Sequence, residues 1–180
     1  MSSAATAARS GRAVRSAALA VAAQVRPLLL LASLILGAAL TWAAVSGDTT
    51  QLPVAAWIFA AVVAGLTGSF VLHECAHAAV LERLPAVTAV TVERTRARIS
   101  VIPHGRMTGR QSAGAAAAGP LAATAAGVLL ALPEATRPLS WWYLGHAVFL
   151  LPVFGDGLAL LKGLLTGSGV IETRPAAPER

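Results

Sequence analysis

The residues with the clearest capacity for chemistry are His73, Glu74 and His77, which form the pattern His-Glu-x-x-His. Residues four apart share one face of a helix, so the two imidazoles can converge on one metal ion. Glu74 projects near the same point without occupying a ligand position. A carboxylate there can take a proton from water and pass it to a leaving amine. The pattern predicts a hydrolytic metal site, and the alternative is a buried polar cluster that braces two helices.

A catalytic zinc ion takes three protein ligands and leaves a fourth position for water, so a third ligand is needed. The chain has a single cysteine, Cys75, which excludes a site built from several cysteines and any intramolecular disulfide. Asp156 is the best candidate, because Pro152 removes a helical hydrogen bond and adjacent glycines loosen the backbone. A broken helix is tolerated at membrane depth where it lines a buried site. The alternative is an Asx turn that ends the helix.

The composition of the 180-residue chain places it among integral membrane proteins. Hydrophobic residues make up 56% and charged residues only 12%, which excludes a disordered chain, a coiled coil and an ordinary soluble globule. The net charge is +6, but the basic residues flank apolar runs. The positive-inside rule explains that placement, so no nucleic-acid partner is predicted and the lipid bilayer is the expected environment.

Four apolar runs are long enough to cross a bilayer, for which a helix needs about 20 residues. They cover about residues 27–45, 53–81, 112–132 and 140–165, and the third is rich in Ala and Gly, which lets helices approach closely. The predicted fold class is a mainly α membrane protein with about four transmembrane helices. A small β-hairpin or sheet, at residues 87–102, is predicted between the second and third helices.

The predicted organisation is a membrane-spanning core that carries the metal site, at residues 27–165, between two polar ends. Residues 1–26 form a basic, poorly ordered N-terminal arm, for which a cleaved signal peptide is the competing interpretation. Residues 166–180 form a short tail. Arginine concentrates in the arm and in the long loop after the second run, so both ends and this loop are predicted to be cytoplasmic. The Ala- and Arg-rich composition is typical of a GC-rich bacterial genome, which makes a bacterial plasma membrane the expected location.

The candidate ligands also agree in depth. His73 lies 20 residues after Pro53, about 30 Å along a run entered from outside. Asp156 lies 16 residues after Ser140, about 24 Å along another run entered from outside. Both therefore fall in the cytoplasmic half of the bilayer. Ionisable residues inside a span are costly, which makes them functional candidates.

The long loop has strand chemistry, because Val87–Ile102 is rich in Val, Thr and Ile. A turn is expected at Pro103–Gly105. Arg94, Arg96 and Arg98 would share one strand face at period two. That face is expected to meet anionic lipid headgroups, and direct contact with a substrate is the alternative.

Three other side chains receive non-catalytic interpretations. His146 lies ten residues before Asp156, about 15 Å on an unbroken helix, so a packing or hydrogen-bonding role is predicted. His104 is interpreted as a surface residue of the turn, with a gate or proton relay as the alternative. Cys75 is expected to face away from the histidine pair as an inert small residue.

These motifs resemble the site-2 protease family of intramembrane zinc metalloproteases. That family carries His-Glu-x-x-His in one transmembrane helix and an Asp-Gly motif in a later one. Carried over by position, the resemblance implies zinc on His73, His77 and Asp156, with Glu74 as the catalytic base. It covers about residues 70–165.

Further features of the chain also resemble the family. Gly119-Pro120 is similar to the Gly-Pro often found in the helix between the two motifs, and the strand-rich loop is similar to the family's membrane-associated sheet. The family's Asn-x-x-Pro pattern is not matched, because Phe149 stands at the place of the Asn. Neither a PDZ domain nor a nucleotide-binding domain is evident, so a near-minimal catalytic core is expected.

The resemblance implies a zinc-dependent intramembrane endopeptidase. It would hydrolyse a peptide bond in or near a transmembrane segment of a membrane protein, in the class of anti-sigma factors or signal-peptide remnants. One alternative is a catalytically impaired scaffold or regulator with the same architecture. Another is a small transporter that uses the His, Glu and Asp cluster as an ion path, although no inverted repeat is visible.

Overall fold

The structure is a computed structural model that describes residues 11–96 and 98–173. Helices dominate, and a small sheet lies at one end of the helical bundle. The elements follow in the order α1 (Arg12–Ser46), α2 (Leu52–Ala60), a π-helical segment (Ala61–Thr67), α3 (Gly68–Glu82), β1 (Val87–Arg94), β2 (Ile99–Thr108), α4 (Gly109–Ala131), α5 (Arg137–Leu144), a 3₁₀ segment (Gly145–Leu150), α6 (Gly155–Thr166) and β3 (Val170–Glu172).

Among the described residues, three helices are long and apolar enough to cross a membrane, namely Arg12–Ser46, the continuous Leu52–Glu82 and Gly109–Ala131. A fourth candidate is a bent pair, Arg137–Leu150 and Gly155–Thr166, whose two halves meet at 43°. The predicted mainly helical fold with a small sheet is therefore confirmed at this level. The last three predicted runs overlap Leu52–Glu82, Gly109–Ala131 and the bent pair.

The first helix begins much earlier than predicted. Residues 1–26 were expected to form a poorly ordered arm, whereas α1 starts at Arg12 and continues through Pro27 without interruption. The physical reason is twofold, since the stretch is rich in alanine, the best helix former, and another helix caps its start. The first ten residues of the predicted arm lie outside the described part of the chain.

The cap of α1 comes from the last residue of α3. The two carboxylate oxygens of Glu82 accept hydrogen bonds from the backbone N–H groups of Gly11 and Ala13, at 2.8 and 2.7 Å. These N–H groups at a helix start have no partner within the helix, so a carboxylate from elsewhere can satisfy them. Alanines from both helices pack together beside this contact, namely Ala13, Ala17 and Ala78. The helix that carries His73 and His77 is thus fixed against α1.

A π-helical segment precedes α3 and is held by α5. The Tyr143 hydroxyl donates to the carbonyl of Ala64 at 2.6 Å, and the Thr67 hydroxyl donates to the carbonyl of Val62 at 2.8 Å. Such segments shift the helical register and occur often near functional sites. Here the segment ends six residues before His73 and sets the rotation of the helix face that carries it.

The sheet has the order β1-β2-β3 and is antiparallel. Pro103–Gly105, predicted as a turn, lies inside β2 instead, and the hairpin between β1 and β2 is closed by the backbone of Thr95 and Arg98. A β-bulge opposite Gly105, whose φ is 118°, absorbs the irregularity that the Pro and Gly bring. The third strand comes from the predicted tail and pairs with Arg106–Thr108. The insert is therefore longer than the predicted 87–102.

The predicted strand face of Arg94, Arg96 and Arg98 does not form, because the chain turns where the last two occur. Arg94 ends β1 and donates to the carbonyl of Ala23 on α1, at 3.2 Å. Arg96 and Arg98 lie in the turn, and the carbonyl of Arg96 accepts a hydrogen bond from Gln24. The turn is closed by the Thr95 and Arg98 backbone at 2.8 Å.

Small residues bring α4 and α6 into close contact, as predicted for the Ala- and Gly-rich run. A Cβ built on Gly163 would lie 2.6 Å from the carbonyl oxygen of Gly109, so neither helix has room for a side chain there. A capping box starts α4, in which Thr108 and Gln111 exchange hydrogen bonds of 2.9 and 3.2 Å. The close approach of Gly109 and Gly163 sets the position of α6, which carries Asp156.

Candidate metal centre

Three side chains from two distant parts of the chain meet at one point. His73 and His77 lie one turn apart on α3, and Asp156 is the second residue of α6. The His73 Nε2 atom lies 3.0 Å from Asp156 Oδ2 and 3.1 Å from His77 Nε2. The His77 Nε2 atom lies 3.5 Å from the same carboxylate oxygen. The three residues predicted as ligands are therefore brought together.

The spacing of these three atoms fits a tetrahedral metal ion. Zinc–nitrogen and zinc–oxygen bonds of about 2.0–2.1 Å put the ligand atoms of a tetrahedral site about 3.3 Å apart. The observed separations of 3.0, 3.1 and 3.5 Å surround that value. Both histidines are buried, with exposures of 4% and 8%, and the aspartate is partly exposed. Two imidazoles and one carboxylate could therefore hold an ion that keeps an open side.

Hydrogen bonds at the far edge of each ring turn its Nε2 atom into the cluster. His77 Nδ1 donates to the carbonyl of Ala115 on α4, at 2.7 Å, which leaves the Nε2 lone pair free. His73 Nδ1 lies 2.9 Å from the Nδ1 atom of His146. Hydrogen bonds of this kind fix the tautomer and the orientation of metal-binding histidines.

Asp156 reaches the cluster because the fourth helical run is broken just before it. The chain leaves the 3₁₀ segment at Leu150 and starts α6 at Gly155, as the Pro152 and glycine pattern predicts. Gly157 lies so close to this break that a Cβ there would overlap the carbonyl of Leu151. The absence of a side chain at residue 157 lets the first turn of α6 sit against the preceding loop.

Glu74 lies beside the three ligand residues and faces two cavities. One cavity of about 300 Å³ lies between α3, β2, α4 and α6, and the other, of about 480 Å³, lies between α1, α3 and the 3₁₀ segment. Both are lined by Glu74 and Asp156. A partly buried carboxylate in this position can exchange protons with a group in either cavity.

The two cavities differ in their walls, and we name them by those walls. The smaller, the strand-side cavity, is lined by residues 98–101 of the β-hairpin and by small side chains of α4 and α6 such as Ala116 and Ala159. The larger, the aromatic cavity, is lined by apolar groups that include Phe70, Phe149 and Phe154. An extended peptide that passes the ligand cluster would therefore meet small residues on one side and aromatic rings on the other.

The structure agrees with the prediction for His146 and Cys75 but not for His104. His146 does not join the ligand group, in agreement with its predicted hydrogen-bonding role. His104 was expected at the surface but is only 6% exposed, and its Nε2 atom lies 2.9 Å from the Thr91 hydroxyl. Its burial follows from its place within β2 rather than in a turn. Cys75 points toward α1, where its Sγ atom lies 3.4 Å from the carbonyl of Val14.

Sequence reasoning missed two contacts of α4 with the site. The carbonyl of Ala115 binds His77, and the Cα of Gly119 packs against the same imidazole ring. The two residues are four apart and therefore share one helix face. The Gly119-Pro120 pair had drawn attention to this helix. Gly119 leaves the space that the His77 ring occupies. The ring of Phe149 packs 5.3 Å from that of His73.

Comparison of the chain with family models, with curated proteins and with solved structures finds no match.

Proposed function

We propose that this protein is a zinc-dependent intramembrane endopeptidase, related to the site-2 protease family. The observation that carries the proposal is the convergence of His73, His77 and Asp156, whose ligand atoms all lie within 4.8 Å of one another, beside the carboxylate of Glu74. The helices that supply these residues belong to runs apolar enough to cross a membrane. Ionisable groups cost free energy in a membrane unless they are paired or hydrated, so their presence here supports a functional role.

Each residue has a defined part in the proposed chemistry. A zinc ion held by His73, His77 and Asp156 would supply Lewis-acid polarisation of a water and of the scissile carbonyl. Glu74 accepts the proton of the attacking water and then delivers it to the leaving amine. The peptide C–N bond breaks, the water oxygen becomes part of the new carboxyl group, and the amine leaves with the transferred proton.

The proposed substrate is a membrane protein segment that unwinds before cleavage, because a helix hides its backbone. Within the described residues, β3 pairs with Arg106–Thr108 but not with residues 99–103 of β2. This stretch of β2 borders the strand-side cavity next to Glu74. An extended peptide that adds there as a strand would pass the ligand cluster, which is a common way to bind unfolded segments. Anti-sigma factors and signal-peptide remnants belong to this substrate class.

The proposed location is a bacterial plasma membrane, with the sheet and both ends on the cytoplasmic side. The support is the charge at the sheet end of the bundle, where most described arginines lie, namely Arg12, Arg15, Arg83, Arg94, Arg96, Arg98, Arg106 and Arg110. The positive-inside rule assigns such an end to the cytoplasm. The site would then lie in the cytoplasmic half of the bilayer.

A second candidate function is a zinc-binding scaffold without peptidase activity. The observation in its favour is Phe149, an apolar ring next to His73 at the place where the family has a polar Asn. Such a protein would bind zinc and membrane partners but would not cleave them.

A Glu74→Gln variant tests the proposal. In liposomes with a single-span substrate, the wild-type protein should cleave the substrate, and the variant should bind zinc while its cleavage rate drops at least about 100-fold. Glu134→Gln, an exposed change at the opposite end of the bundle, serves as the control and should cleave normally. Cleavage at the wild-type rate by Glu74→Gln would overturn the peptidase assignment. Zinc binding without cleavage by the wild-type protein would favour the scaffold.

A further inference from the structure

His146 is the most deeply buried ionisable side chain next to the ligand cluster, with 2% exposure. It lies on the 3₁₀ segment that precedes the break, and its Nδ1 atom is 2.9 Å from the Nδ1 atom of His73. Its ring also packs against Phe70, with the ring centroids 4.7 Å apart. The peptidase chemistry described above makes no use of this residue.

The arrangement around His73 determines which ring donates in this contact. The Nε2 atom of His73 faces Asp156 at 3.0 Å, so this nitrogen is the one that can bind a metal ion. A neutral imidazole that binds metal through Nε2 carries its proton on Nδ1. When a metal ion is bound at Nε2, the Nδ1–H group of His73 donates and the unprotonated Nδ1 of His146 accepts.

We propose that His146 is a positioning residue of the metal centre, which holds the tautomer and the ring orientation of His73. The inference rests on the proposed zinc site but not on peptidase activity. Its role parallels that of the Ala115 carbonyl, which accepts the Nδ1–H of His77 at 2.7 Å. Each metal-binding imidazole is then fixed by one acceptor at its far edge.

The broken run explains how His146 and Asp156 can both reach His73. On an unbroken helix the two residues would lie about 15 Å apart along the axis. The fourth run contains a 3₁₀ segment, a break after Leu150 and a 43° bend. Because of this bend, residues of the same run can contact both nitrogens of the His73 ring. His146 contacts Nδ1 and Asp156 contacts Nε2, so the orientation of His73 is fixed from two sides.

The test compares two substitutions whose side chains have the same number of heavy atoms and the same branching, His146→Asn and His146→Leu. The amide oxygen of Asn can accept the Nδ1–H of His73, whereas Leu cannot. Zinc affinity is measured by competition with a chelator on the purified full-length chain in nanodiscs. His146→Leu should lose about 10- to 100-fold in zinc affinity, the usual effect of removing such a partner, and His146→Asn should retain most of it.

A second pair of variants separates the hydrogen bond from packing. His146→Phe keeps a ring in the space and removes the acceptor, so it should lose zinc affinity as His146→Leu does. Phe70→Leu removes the ring that packs on His146 but keeps the acceptor, so its zinc affinity should stay near the wild-type value. With Co²⁺ in place of zinc, the visible absorption bands should shift for His146→Leu and His146→Phe but not for Phe70→Leu.

The outcomes separate the positioning role from the peptidase function. If His146→Leu and His146→Phe bind zinc as tightly as His146→Asn and the wild type, His146 only packs and the inference is wrong. If the affinities differ as expected but the wild type cleaves no substrate, the inference stands and the peptidase proposal fails. If the wild type binds zinc no better than a His73→Ala variant, both fail.

Discussion

The Cα of Gly119 lies directly against the imidazole ring of His77. A Cβ built at this position would come within 2.7 and 2.8 Å of His77 Cδ2 and Cε1, closer than real side-chain contacts allow. Its approach to Nε2, the atom that faces the ligand cluster, would be closer still. Gly119 is thus required for the position of His77, and the glycine is needed for space rather than for flexibility.

We expect Gly119→Ala to displace the His77 ring and to lower zinc affinity by at least about 10-fold, because one ligand leaves the position that the other two define. The measurement is chelator competition with the purified protein. Gly114→Ala, on the same helix, is the matched control, since a Cβ there meets nothing within 4 Å. Equal zinc affinity for both variants would contradict this role of Gly119.

Asp156→Ala should reduce zinc affinity strongly and change the stability of the zinc-free protein much less, because it removes one of three ligands from the cluster. Zinc that binds only the folded protein raises its melting temperature, so added chelator should lower the melting temperature of the wild type. The variant should show little response to chelator. Asp48→Ala, in the exposed loop between α1 and α2, is the control and should respond as the wild type does. A full chelator response in Asp156→Ala would exclude the aspartate as a ligand.

Ala159→Phe should fill part of the strand-side cavity and slow cleavage without loss of zinc. The cavity holds about 300 Å³, and Ala159 is one of the small side chains in its wall. Leu158→Phe is the control, because Leu158 is the adjacent residue but is 42% exposed on the outside of the helix. Substrate titration in liposomes should show a raised KM for Ala159→Phe alone. An unchanged KM would mean that the substrate does not use this cavity.

Glu82→Ala should weaken the start of α1, since the carboxylate accepts hydrogen bonds from the backbone of Gly11 and Ala13. Loss of a helix cap costs about 0.5–2 kcal/mol. Hydrogen exchange of the first turns of α1 should therefore accelerate. Glu172→Ala removes an equally charged but largely exposed side chain and should leave this exchange unchanged. If the exchange is the same in both variants, Glu82 does not act as a cap.

The three ligand residues could be predicted from the sequence because each is marked by a pattern within its own segment. His73 and His77 need only the periodicity of a helix, and Asp156 is marked by a charge and a helix break within an apolar run. The helical runs were likewise predictable from hydropathy, which each segment carries by itself. These features require no knowledge of what the segment packs against.

The features that the sequence did not predict mostly involve contacts between segments distant in sequence, whereas the misplaced hairpin turn is a local error. The early start of α1 depends on Glu82, which lies 71 residues from Gly11. The strand at Val170–Glu172 is too short to be recognised without its partner in β2. His146 reaches His73 only because the fourth run bends, and beyond the bend α6 packs closely on α4 at Gly163 and Gly109.

The cap that Glu82 provides for α1 also has a consequence for biosynthesis. The N-terminal turn of the first helix leaves the ribosome long before its partner carboxylate has been made. This turn therefore remains uncapped until α3, the helix that carries His73 and His77, has been synthesised. The start of α1 and the helix that carries His73 and His77 are thus fixed by one contact, and a truncated product that ends before residue 82 would lack this cap.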